Sequence, residues 1–155
     1  MPATNAQLAN DSLGKRLLEV LRAGALPVPF EESFSDRLEV TVRGASPVGD
    51  LTILSDLEEL TLYVGEHTHC HFSLYMHQDR SPADAIDAVV EETVGFLDDL
   101  LADRIVVWSR SVDGGVPEAG GTFRRATAPE LLEPGATVFL WSGTPFIPAA
   151  ARRGA

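Results

Sequence analysis

The chain has one cysteine, Cys70, and one lysine, Lys15. A lone thiol excludes an internal disulfide and any zinc site built from several cysteines. A lone amine near the start of a helical stretch leaves Schiff-base chemistry with one poorly placed candidate. No run of eighteen apolar residues occurs, so no membrane-spanning helix is expected. The opening "MPATNAQLANDSLGKR" lacks an apolar signal segment, and a cytoplasmic location is the expectation. Positive charge is scarce as well: 12 Lys and Arg stand against 23 Asp and Glu, a formal charge of -11. Such a surface repels a phosphate backbone and attracts a basic protein. Nucleic acid and membrane are therefore not expected as partners. Catalytic signatures are missing too, with no G-K-[ST] after the glycines of "DGGVPEAGG", no G-x-S-x-G and no H-E-x-x-H.

What is present is enough for one core, since 155 residues with 45% hydrophobic composition suit a single domain. Residues 1–10 show no period and are expected to be disordered; 11–144 are read as one domain and 145–155 as a flexible tail. Asp11 or Ser12 caps a helix whose apolar stripe is Leu13, Leu17, Val20 and Leu21, and Gly24 stops it. "FEESFSD" reads as a linking loop. Alternation then appears in "RLEVTVRG", "LTIL", "ELTLYVG" and "THCHFSLYM", short strands joined by short turns, which favours antiparallel pairing. "SPADAIDAVVEETVGFLDDLLADR" is a helix, with Ser81 as cap and Pro82 at its first position. "RIVVWS" is apolar on both faces and reads as a central strand. "SVDGGVPEAGG" reads as a loop, "TFRRA" as a strand, "APELLEPG" as a helical turn and "ATVFLWSG" as a last strand. The expected fold is α+β: a single domain, mainly antiparallel sheet, with two helices packed on one face.

Two stretches carry chemistry. "VGEHTHCHFSLYMH" holds all four histidines and the cysteine. On a strand, Cys70, Phe72, Leu74 and Met76 would face the core, and His69, His71, Ser73, Tyr75 and His77 the other side. The thiol is then a small buried hydrophobe, turned away from its flanking imidazoles. His69 and His71 would stand roughly 6–7 Å apart at their Cα atoms, a spacing at which two imidazoles can share a divalent metal such as zinc, with His67 as a third ligand. The H-x-H pair resembles the metal motif of cupins and amidohydrolases, yet no cupin-like glutamate follows and the chain is too short for an amidohydrolase barrel. The alternative is a half-exposed polar face suited to recognition, with no cofactor.

The helix after Ser81 carries seven carboxylates and no basic residue up to Asp103. Asp84, Asp87, Glu91 and Asp98 fall on one ridge, flanked by Glu92 and Asp99. Asp84 and Asp87 favour the helix N-terminus, whereas Asp98, Asp99 and Asp103 oppose its C-terminal end by about 0.3–1 kcal/mol each. The ridge is either a solvated face or an anionic docking surface.

"ELTLYVGEHTHCHFSLY" followed by "AVVEETVGFLDDLLADRIVVWS" resembles a pattern in small uncharacterised bacterial proteins. In these a strand ending in G-E-x-H-T-H-x-H-F precedes a helix and a strand of the type D-D-[IL]-L-A-D-R-[IV]-V-V, and some look like immunity or antitoxin-type partners of toxins. The resemblance spans Leu60 to Ser109, with Gly65, Glu66, His67, Thr68, His69, His71 and Phe72 at its distinctive positions. It implies no activity. Together these features lead to the expectation of a non-enzymatic inhibitor of a basic toxin such as a nuclease, whose partner-binding residues are Asp84, Asp87, Glu91, Asp98, His69, His71 and Tyr75. The competing expectation is a small metalloprotein using His67, His69 and His71, with hydrolysis as its candidate chemistry.

Overall fold

The computed structural model describes residues 2–44, 48–127 and 135–146. The turn segment 45–47, most of "APELLEPG" and the tail from 147 lie outside the described residues. Helix α1 (Ser12–Arg22) is followed by strands β1 (Glu31–Phe34), β2 (Leu38–Val42), β3 (Leu51–Asp56), β4 (Glu59–Val64) and β5 (Thr68–Ser73). Helix α2 (Pro82–Leu101) leads to β6 (Ile105–Ser111), β7 (Pro117–Arg124) and β8 (Thr137–Phe139). The strands form two antiparallel sheets, a five-stranded meander in the order β1-β2-β3-β4-β5 and a three-stranded sheet in the order β7-β6-β8. The domain is α+β, as expected, with both helices on one face of the larger sheet.

Register explains why that face is apolar. Val40 lies opposite Ile53, Ile53 opposite Leu62, and Leu62 opposite Cys70, so one row of inward side chains crosses four strands. Leu60 and Phe72 pair in the next row. Leu38, Ile53, Leu60 and Leu62 are buried against Leu13, Leu17 and Leu18 of α1 and Val89, Leu97 and Leu100 of α2, all within one core. Each such side chain contributes about 1.5–3 kcal/mol by leaving water.

Asp11 starts α1 as the sequence suggests, and it does more than cap. Its Oδ1 accepts from the Gly14 backbone N–H and from the Ser55 hydroxyl of β3, both at 2.8 Å. The carboxylate is buried, so this pair of bonds pins the helix to the sheet. The N-terminal residues depart from expectation: Ala3 and Leu8 are buried in the core, and the Leu8 N–H bonds to the Thr4 carbonyl. Two apolar side chains suffice to anchor a stretch too short to show a period.

"FEESFSD" is also not a loop, because β1 pairs with β2 through Glu31 to Phe34. Its inward position holds Glu32, whose Oε1 takes the Arg22 guanidinium at 2.6 Å. A charge on the inner row hides the strand period, and it also suits an edge strand by discouraging further pairing. Likewise β7 runs through "PEAGG", which reads as loop because its inward residues are small. Gly120 there is required by space: a Cβ on it would stand 1.8 Å from the His67 carbonyl oxygen, where β7 passes the β4–β5 turn.

Candidate functional site

The ridge carboxylates fall at the groove between the two helices. Asp87, Glu91 and Asp98 line one cavity of about 530 Å³ together with Val20, Val90, Val94 and Gly95. The floor is apolar and the rim acidic, with Arg16 at one end. Asp84 lies a turn earlier, exposed, at the N-terminal end of α2. Its carboxylates find partners in α1, in β7 and at the residue that ends the quoted helical stretch. Arg16 Nε bonds Asp87 at 2.8 Å, and Arg104 bonds Asp98 at 2.9 Å and Asp99 at 2.7 Å. Arg124 of β7 also pairs with Asp99. These guanidiniums, Arg104 first, hold the Asp99 carboxyl below the usual carboxylate range. Asp103 takes a positive φ of 59° just past the helix, and its Oδ1 accepts from the Ser142 N–H at 3.0 Å. Tertiary contacts therefore offset the repulsion at the acidic C-terminal end of α2. Among the described residues, Glu91 is the rim carboxylate without an ion pair.

The histidine stretch divides into three environments. Gly65 opens the β4–β5 turn at φ 54°, where a Cβ would meet the Val48 carbonyl oxygen at 1.8 Å. The turn carries His67 out of the strand and toward the small sheet. Its Nδ1 lies 2.8 Å from the buried Ser109 hydroxyl of β6, and its ring packs on Phe139 of β8 at 4.4 Å. His67 thus lines a cleft of about 590 Å³ between the sheets, with Asp50, Thr52 and Ser109. Among the described residues His67, His69 and His71 do not gather as a group that could hold a metal ion, although His67 and His69 line one cavity together. The one trace of Ser109 in the sequence is a polar residue at the end of "RIVVWS".

His69 and His71 do share the outer face of the large sheet, as alternation requires. Both are exposed, and their ring centroids are 4.9 Å apart at an interplanar angle of 89°. His71 Nδ1 lies 2.6 Å from Glu59 Oε1, and Thr61 Oγ1 donates to the same carboxylate oxygen at 3.1 Å. The bond from His71 is the main reason the Glu59 carboxyl is held low. His69 stacks on Tyr63 of β4 at 5.6 Å. Cys70 faces the other way, half-buried, and burial pushes its thiol up despite a hydrogen bond with Thr122 of β7.

Alternation stops at Ser73. Its hydroxyl accepts the Tyr75 N–H at 3.1 Å, and the Leu74 N–H bonds to the Glu58 carbonyl, so a single 3-10 turn covers Leu74–His77. Met76, expected inside, is 73% exposed, whereas His77 is nearly covered with Nε2 3.0 Å from Glu92. Tyr75 is exposed on the turn that packs against α2. The two partner-binding sets are thus on opposite sides of the sheet: the carboxylate ridge with the helices, His69 and His71 behind them.

No family model, curated protein or solved structure matches the chain. Among the described residues, no three of His, Cys, Asp and Glu gather so as to hold a metal ion, and no helix is long and apolar enough to cross a membrane.

Proposed function

We propose that the protein is a non-enzymatic, cytoplasmic binding protein, an immunity-type inhibitor that occludes a basic toxin. The observation that carries this reading is the convergence of Asp87, Glu91 and Asp98 on the rim of one apolar-floored groove. Lysine and arginine side chains suit such a surface. Their aliphatic stems lie along the valines while the charged heads reach the carboxylates. Exposed ion pairs add only about 0.2–1 kcal/mol each. Their larger effect is on encounter, since a surface of one sign raises the association rate of an oppositely charged partner by about 10–10³. A nuclease fits as the target, because its cleft must be cationic to hold phosphate. His69 and His71 take no part in this surface, whereas Tyr75, beside α2, remains available to the same partner.

The test compares capture from native-host lysate at low salt by the wild type and by a variant carrying Asp87→Asn, Glu91→Gln and Asp98→Asn. The expectation is a basic protein retained by the wild type, lost by the variant and inhibited in its own activity by the wild type alone. Equal capture by both, or a captured protein that keeps its activity, rejects the reading.

A further inference from the structure

We propose that His69 and His71 form a surface site for one divalent transition-metal ion, of the zinc or copper type, completed by water and held in readiness by Glu59. The site is independent of the groove between the helices and lies on the opposite side of the sheet.

Three observations support it. The first is ring separation. A metal–nitrogen bond of about 2.05 Å plus about 1.15 Å to the ring centre places each imidazole centroid about 3.2 Å from a shared ion. Two centroids at a tetrahedral angle are then about 5.2 Å apart, and at a right angle about 4.5 Å. The observed 4.9 Å lies between these values. The second is tautomer. With Glu59 Oε1 2.6 Å from His71 Nδ1, the neutral ring carries its proton on Nδ1 and leaves a lone pair on Nε2. A carboxylate on the far nitrogen is the usual outer support of a metal-binding histidine, raising its basicity and fixing its orientation. Thr61 Oγ1, donating to the same oxygen, fixes the carboxylate in turn. The third is placement. Both rings are exposed on a paired strand of the five-stranded sheet, so the backbone ladder holds their Cα positions while the rings stay open to water. His67 is excluded, being engaged with Ser109 and Phe139. Two imidazoles and open water positions favour ions that accept nitrogen ligands, and disfavour Mg²⁺ and Ca²⁺, which require oxygen.

Isothermal titration of the untagged full chain, stripped of metal, with ZnCl₂ and separately CuCl₂ at pH 7.5 tests the site, with MgCl₂ as the contrasting ion. The expected result is one Zn²⁺ or Cu²⁺ per chain and no uptake of Mg²⁺. His69→Gln or His71→Gln abolishes binding, Glu59→Gln weakens it by roughly 10–100-fold, and His67→Gln leaves it unchanged. Both substituted histidines are exposed, and circular dichroism is the check that the variants fold. Binding that survives His69→Gln or His71→Gln, binding lost with His67→Gln, or no binding at a 1:1 ratio overturns the proposal. Selective broadening of the His69 and His71 ring protons by substoichiometric Cu²⁺ gives a second readout, and equal broadening of all four histidines counts against it.

Discussion

The two faces of the five-stranded sheet are built from the same strands by the same alternation, yet they do different work. The inner row Val40–Ile53–Leu62–Cys70 lies beneath two helices and is closed to water except at its β5 end. The outer row Thr41–Thr52–Tyr63–His69 lies one residue away on every strand and remains open or half-open. Stability is thus concentrated on one side, and the other is free to carry polar chemistry. The helices that cover the inner face then present a second polar surface, the carboxylate-rimmed groove.

The comparison breaks most visibly under paired truncations. Leu62→Ala is expected to cost about 2–5 kcal/mol, whereas His71→Ala on the neighbouring strand should stay within about 0.5 kcal/mol. Urea unfolding measures both, and equal costs would mean that the outer face is not a separate surface. Next in size is the junction of helix and sheet. Asp11→Ala removes a cap worth about 1–2 kcal/mol and leaves the buried Ser55 hydroxyl and Gly14 N–H without their acceptor. Asp11→Asn, which keeps an acceptor oxygen, is expected to lose less in the same assay.

Smaller effects distinguish the rim carboxylates. Glu91 is without an ion pair among the described residues, while Asp87 and Asp98 each hold an arginine. Glu91→Gln should therefore slow association with a cationic partner more than Asp87→Asn does, by a few-fold at low salt, and the difference should shrink as salt rises. Stopped-flow kinetics at two ionic strengths would show it. Smallest is the pH dependence from Asp99. Its folded carboxyl is held below the unfolded value, so it stabilises the fold above about pH 4 and loses that contribution as pH falls through the depressed value. Asp99→Asn should then be less stable than wild type at pH 7, by under about 1 kcal/mol given its exposed arginine partners, and converge with it in acid.

The sequence disclosed those parts of the fold whose periods are unmixed. Both helices and strands β2 to β4 and β6 follow from apolar spacing, and the helix caps from Asp11, Ser81 and Pro82. It concealed β1, where Glu32 occupies an inward position, and the start of β7, where glycines do. It also concealed the end of β5, because a hydroxyl cap at Ser73 turns the chain without altering the apolar pattern that continues to Met76. For the site, alternation placed His69 and His71 together and Cys70 opposite, as found. The ion pairs to Arg16 and Arg124 are not legible, since both are distant in sequence, whereas Arg104 stands directly after the acidic stretch. Nor was the separation of His67, which depends on a turn geometry that only Gly65 hints at.

The groove between α1 and α2 is proposed to receive cationic, partly apolar side chains. The most direct test is a ¹⁵N–¹H titration of the full chain with a short Leu- and Lys-rich amphipathic peptide. Saturable shifts centred on Val20, Val90, Glu91, Val94 and Gly95 are expected, absent in the variant neutralised at Asp87, Glu91 and Asp98. Shifts spread evenly over all surface carboxylates, or centred on Tyr63, His69 and His71, would contradict it.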